Sequence, residues 1–182
     1  LEANHTEILH STANDWAEDI ALHGKKNGYS KWILSDKTKI AKQFVDTAQL
    51  RHPEWSITTT DQLSGATENY AQYKKNLFHN IDASITETKW GIAETGTLVL
   101  WPSQNEPRLL SLVPPVHYAL FDTKQLYASF EELLEQEQWS QQSLPSNILM
   151  ISGPSKTADI QQTLAYGAHG PKQLIVVIIH DH

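Results

Sequence analysis

"LIVVII", residues 174–179, is the longest apolar run in the chain. Six residues suit a β-strand and fall far short of the ~20 that a membrane-spanning helix needs. No polar residue interrupts the run, so a strand here is buried on both faces. Three earlier segments read the same way: Leu98 to Trp101, Val116 to Phe121 and Ile148 to Ile151. Helical spacing fills the intervals. Phe130, Leu133 and Leu134 mark a helix over 126–138, and Ile160 and Leu164 give the inner side of a helix over 157–166. Buried strands alternating with helices predict an α/β fold with a parallel or mixed sheet between helical layers.

The first half is patterned less sharply. Trp16 and Ile20, with Ala13, Ala17 and Ala21 beside them, predict a helix over 12–24 that Gly24 and Gly28 bring to an end. Trp32-Ile33-Leu34 reads as a short strand. Ile40, Phe44 and Ala48, four apart, predict a helix over 37–50. Residues 55–60 read as another strand, and Asn69 to Phe78 as a helix. There is no repeat, no low-complexity tract and no linker rich in Pro, Gly and Ser, so residues 1–182 are expected to form a single domain.

A net charge of −7 argues against a general nucleic-acid binder, which needs a basic surface to displace counterions. Lys25-Lys26 and Lys74-Lys75 are only pairs. The chain has no cysteine, which removes disulfides, thiolate nucleophiles and a cysteine-ligated iron–sulfur cluster from its own chemistry. Leu1-Glu2-Ala3-Asn4-His5 carries neither the basic patch nor the apolar stretch of a signal peptide, and it lacks an initiator Met. The expectation is a cytoplasmic protein without a membrane span, with residues missing upstream.

Five segments could carry chemistry. In "WGIAETGTLVLW", residues 90–101, Gly96 can take a positive φ and admit a ligand close to the backbone. The amides of such a turn can form an anion nest, with the Thr95 and Thr97 hydroxyls as further donors and Glu94 as nucleophile or base. A turn whose threonines satisfy backbone groups explains the same residues. In "ISGPSKTADI", residues 151–160, Gly153, Ser155, Thr157 and Asp159 lie where a strand would pass into a helix. That junction either caps a helix or holds an anion at its N-terminus. In "YGAHGP", residues 166–171, His169 beside Gly170 is either an acid/base group or the lock of a turn. Arg108, ahead of "LLSLVPPVHYAL", could pair with an anion, while His117 reads as a core histidine. His180-Asp181-His182 reads as a terminal tail, because a catalytic zinc needs about three protein ligands. No metal and no cofactor are expected.

In order, "WGIAETGTLVL", "RLLSLVPPVHYAL" and "GPSKTADIQQTLAYGAHGP" followed by an apolar strand resemble the LUD-domain family, and its LutC/YkgG branch (lactate utilization protein C type) most closely. The resemblance is strongest over residues 83–180. It implies a three-layer α/β/α sandwich of the NagB/RpiA/CoA-transferase-like kind with a mainly parallel sheet. It also implies a role beside LutA-like and LutB-like iron–sulfur proteins in oxidising L-lactate to pyruvate. A cysteine-free chain fits the part without a redox centre. The family's motif positions fall on Glu94, Thr95, Gly96, Thr97, Pro114, Pro115, His117, Gly153, Ser155, Thr157, Asp159, Gly167, His169, Gly170 and Pro171.

Two functions therefore compete. In one, the chain is a subunit or accessory protein of a lactate-oxidising system. In the other, it is an enzyme or binding protein for a small anion such as an acyl-CoA, a phosphosugar or an organic acid. There Glu94 and His169 would be catalytic, and Thr95, Gly96, Thr97, Arg108, Gly153, Ser155, Thr157, Asp159 and Gly170 would bind the ligand. The two strongest motifs are expected to meet at one end of the parallel sheet, the usual ligand position. A homo-oligomer is compatible with either function.

Overall fold

The computed structural model describes residues 1–61, 80–141, 143–158, 164–166 and 170–180, with backbone alone for 157–158 and 164–166. A 3-10 turn, Glu2–Asn4, leads into β1 (Glu7–Ser11), α1 (Trp16–Asn27), β2 (Lys31–Leu34), α2 (Lys39–Arg51) and β3 (Ser56–Thr59). Then come β4 (Ala83–Glu87), β5 (Trp90–Ile92), β6 (Thr97–Leu100), the one-turn α3 (Leu109–Leu112) and β7 (Val116–Asp122). The chain continues through β8 (Leu126–Tyr127), α4 (Phe130–Gln136), β9 (Leu149–Ile151), β10 (Lys156–Ala158), β11 (Leu164–Tyr166) and β12 (Gln173–Ile179).

Six strands form the main sheet in the order β1-β12-β7-β4-β2-β3. Every pairing in it is parallel. The longest ladder joins β7 to β12, from Val116↔Gln173 to Asp122↔Ile179. Side chains alternate across it. Tyr118, Leu120, Ile175 and Val177 face α1 and α2, where Trp16, Ile20, Phe44 and Ala48 meet them. Ala119, Phe121, Leu174 and Val176 face the other way, onto Leu98 and Leu100 of β6. That second layer is a four-stranded sheet in the order β8-β5-β6-β9. Its far side, Trp90, Ile92 and Val99, is covered by Leu133 of α4 and by Trp139. The α/β sandwich built on a parallel sheet is thus the observed architecture, with β5, β6, β8 and β9 sharing one covering layer with short helices.

The first helix begins at Trp16 and ends on Gly28, whose φ of +77° closes it in a left-handed cap. Thr38 caps α2 by accepting the Ala41 amide, and Ser129 caps α4 by accepting the Glu132 amide. The helix expected over 126–138 therefore starts at Phe130, because Leu126–Tyr127 pair with Gly91–Ile92 as a strand. One expectation is overturned. The described ends of the segment 157–166 are strands and not helix: β10 and β11 pair antiparallel, with Lys156↔Tyr166 and Ala158↔Leu164. Two apolar residues four apart are too few to fix a helical period, and Thr157 and Tyr166 suit a strand. Ile160 and the helix expected over 69–78 lie outside the described residues. β1, β4 and β5 escape the sequence pattern because they are short and carry polar or small residues: "EILHS", "ASITE" and "WGI".

Gly24 shows how tightly α1 sits. A Cβ there would lie 2.5 Å from a ring carbon of Trp32. Trp32 is fully buried and wedged against Phe44, Trp55 and Tyr118, with ring centroids 4.9 to 5.3 Å away, so it has nowhere to go. Alanine would gain about 1 kcal/mol in helix propensity, but overpacking of this kind costs about 1–3 kcal/mol. Gly24→Ala is expected to leave the protein no more stable, and Gly24→Val to lower the urea midpoint clearly. A raised midpoint for valine would contradict the packing described.

Candidate functional site

In open parallel sheets, ligands gather at the carboxyl ends of the strands, where the strand order reverses. Here α2 carries the chain outward from β2 to β3, while β4 lies on the other side of β2. A cavity of about 630 Å³ opens beside this point, lined by the ends of β4, β7 and β12 at Glu87, Asp122 and Ile179. Trp16 and Ile40, from the starts of α1 and α2, form one wall. Lys89, Trp101, Ser103 and Glu106 form the other.

Glu106 sits on the loop between β6 and α3, and that loop is tied down. The Ser103 Oγ accepts the amides of Asn105 and Glu106, each at 3.1 Å, and the Ser103 amide returns a bond to the Glu106 carbonyl at 3.1 Å. The Ser35 hydroxyl, just past β2, donates to the Asn105 carbonyl. The Glu106 Oε1 accepts the Glu87 amide at 3.1 Å. Burial pushes the Glu106 carboxyl up to about 7; the Glu87 amide opposes this and the Glu87 charge adds to it. Burial also raises Glu87 itself, opposed by Lys39. Because one Glu106 oxygen accepts an amide, the acid proton belongs on the other, Oε2. A carboxyl that changes charge near neutrality can give or take a proton there.

Lys89 crosses the cavity wall over two indoles, its ammonium 3.9 Å from the Trp101 ring centroid and 4.2 Å from that of Trp90. The two rings stand at 89° to each other, so the ammonium lies in their corner. Burial lowers its proton affinity, and the Glu137 charge opposes that. Behind the wall, the fully buried His117 meets the Thr86 hydroxyl through Nε2 at 2.8 Å. Burial takes His117 down to about 3, so it stays neutral. Its Nδ1 has no partner among the described residues.

The residues singled out from sequence lie elsewhere. Glu94 and Thr95 are exposed on the turn between β5 and β6. The Glu94 amide donates to the Ala128 carbonyl at 3.0 Å, and the Thr95 and Thr97 hydroxyls bond to each other at 2.8 Å. Gly96 has a φ of +59°, and a Cβ on it would lie 2.8 Å from the Leu1 nitrogen. A Cβ on Gly153 would lie 2.9 Å from Asn4. Gly96 and Gly153 are thus gathered around the N-terminal turn. The Ser155 amide donates to the Pro171 carbonyl, just ahead of β12, and Gly170 packs on Ser155. Gly153, Ser155 and Gly170 therefore stand at the entry to the parallel strands, opposite the cavity, and the expected meeting at the ligand end does not occur for them. Thr157 starts no helix; it lies in β10. Arg108 is exposed and lines a small void behind Glu106 with Thr86 and Ser111. Asp159, Gly167 and His169 lie outside the described residues. Among the described residues no group of three or more His, Asp and Glu converges as metal ligands would.

The cavity residues Glu87, Lys89 and Glu106 were missed from sequence. A carboxylate closing a strand, as in "ASITE", and a lysine beside tryptophan, as in "TKW", were the available signals. The raised Glu106 carboxyl fixes a sign for stability. Its folded-state value, about 7, lies above the ordinary 4.5, so the folded chain binds more protons between those values. This contribution is complete below about pH 4.5 and is lost as pH rises through 7. Glu106→Gln removes the loss. Urea unfolding is expected to show the variant gaining on the natural chain by roughly 1–3 kcal/mol between about pH 5 and pH 8.5. Equal stability at both pH values would place the Glu106 proton elsewhere.

The chain matches the LUD domain family over residues 1–179. It is 54% identical to an uncharacterized protein of Neisseria meningitidis serogroup B, covering 100% of this chain and 75% of that one. It is 25% identical to lactate utilization protein C of Macrococcus caseolyticus, covering 97% of this chain and 73% of that one. The crystal structure of a DUF162 family protein from Deinococcus radiodurans shares the fold, with a TM-score of 0.64 at 18% identity over 97% of this chain and 90% of the other. No helix among the described residues is long and apolar enough to cross a membrane. The parallel sheet, its two covering layers and the match along nearly the whole chain make this protein a member of the LUD domain family.

Proposed function

We propose that this chain is a C-type component of a lactate utilization system. It would act as a subunit or accessory protein beside LutA-like and LutB-like iron–sulfur proteins that oxidise L-lactate to pyruvate, and would carry no redox centre itself. The observation behind this reading is the similarity along 97% of the chain to a protein named lactate utilization protein C. The absence of cysteine from residues 1–182 supports the division of labour, since these residues cannot hold a cluster through thiolates. The exposed Glu94 and Thr95, on a turn pinned by the Ala128 carbonyl and the Thr95–Thr97 bond, suit a rigid contact with such a partner better than a buried reaction. A cytoplasmic location goes with this reading.

The test is co-expression of the tagged chain with LutA-like and LutB-like proteins from one genome. Co-purification of the iron–sulfur proteins is expected, along with lactate-dependent reduction of an added acceptor that falls when this chain is left out. Lactate oxidation by this chain alone, or no capture of either partner, would end the subunit reading. Glu94→Ala is expected to keep the fold and lower partner recovery several-fold, a loss on the scale of about 1–2 kcal/mol for an interface contact.

A further inference from the structure

We propose that the cavity at the carboxyl ends of β4, β7 and β12 binds a small monocarboxylate bearing an oxygen on C2. Lys89 would take its carboxylate, and the carboxyl of Glu106, in its acid form, would take the C2 oxygen. The choice of a hydroxy or oxo acid rests on the lactate-utilization reading; the site itself rests on the geometry.

Lys89 is the one cation among the described residues that line the cavity. It forms no ion pair with a described carboxylate, while both indoles hold its ammonium in place without neutralising it. An anchored, unpaired ammonium on a cavity wall is ready to receive a carboxylate. Glu106 is fixed by the Glu87 amide and the Ser103 turn, which leaves Oε2 as the atom that carries or accepts the proton. Trp16, Ile40, Leu120 and Ile179 supply apolar wall for the carbon chain.

Charge decides when an anion can enter. Glu87, Asp122 and Glu106 face the cavity against Lys89. Lys39 opposes Glu87, and the Asp122 carboxylate accepts the Lys124 amide at 2.8 Å. Glu137, which also accepts the Tyr127 hydroxyl, acts on Lys89 from the far side of the indoles. Burial holds the Glu106 carboxyl up at about 7. As the acid it removes one repulsive charge and offers a donor to the C2 oxygen. As the carboxylate it repels the ligand. Affinity therefore rises as pH falls through about 7, while the ligand stays ionised throughout.

Isothermal calorimetry on the full chain tests this with L-lactate, pyruvate, propionate and lactamide at about pH 6 and about pH 8.5. Lactate or pyruvate should bind on the order of tenfold more tightly at the lower pH. Propionate, without the C2 oxygen, and lactamide, without the charge, should each bind more weakly. Lys89→Met, which keeps a chain against the indoles, should lose binding at both pH values while far-UV dichroism shows an intact fold. Glu106→Gln, a permanent neutral mimic, should keep binding and flatten its pH dependence. No binding of either acid by the folded natural chain, or binding indifferent to Lys89→Met, overturns the proposal. Partner capture is read separately. A chain that supports lactate oxidation in the complex but binds no acid itself refutes the site and leaves the subunit role standing. A chain that binds the acids but captures no partner does the reverse.

Discussion

The ladder between β7 and β12 is the constraint on which the rest of the molecule depends. Seven residue pairs run in parallel from Val116↔Gln173 to Asp122↔Ile179, and apolar residues occupy both faces of the pair. A ribbon of this kind has no face to give to water, so two covering layers must be supplied. One comes from α1 and α2 through Trp16, Ile20 and Phe44. The other comes from β6 through Leu98 and Leu100. The tight seating of Gly24 on Trp32 follows from the same demand, since the helix must approach closely enough to exclude water from the sheet.

That arrangement also decides where polar chemistry can sit. With both faces covered, the strand ends are where functional groups can reach solvent without opening the core. The amino ends are closed by backbone bonds among Pro115, Ser155, Pro171 and Lys172. At the carboxyl ends of β4, β7 and β12 the chain instead leaves a cavity walled by apolar and charged side chains together. Partial burial of a carboxyl is costly when it is ionised, so Glu106 keeps its proton to about 7 and becomes responsive near neutrality. The property arises from the position of a loop, fixed by Ser103 and Ser35, and not from any unusual residue.

β7 and β12 were legible because burial on both faces leaves a largely apolar run, as in Leu174 to Ile179. The helices α1 and α2 were legible through residues four apart. The short strands β1, β4, β5 and β8 were not. β1 carries Glu7 and His10 at the margin of the sheet, where among the described residues one side of the ladder is open and polar residues are tolerated. β10 and β11 read as one helix in the sequence because local spacing cannot reveal a partner strand. The cavity was the least legible feature. Glu87, Lys89 and Glu106 are brought together by the return of the chain from β6 past the end of β4, a tertiary event that no spacing records.

The turns that stand out in the sequence have a physical account that needs no ligand. Gly96 takes a left-handed φ beside the Leu1 nitrogen, and Gly153 lies under Asn4. A side chain at either place would strike the N-terminal turn, which itself leads into β1 at the edge of the main sheet. Leu1 packs in the layer between the two sheets, against the cluster that contains Leu98, Phe121 and Val176. The two glycines therefore let one short segment lock both sheets together. Glycine-rich turns are read as ligand cradles because glycine admits close approach; here part of what approaches is the protein's own backbone. The carboxyl that burial pushes up to about 7, Glu106, lies instead at the other end of the parallel strands, in a loop whose sequence, "SQNEPR", has no distinctive motif at all.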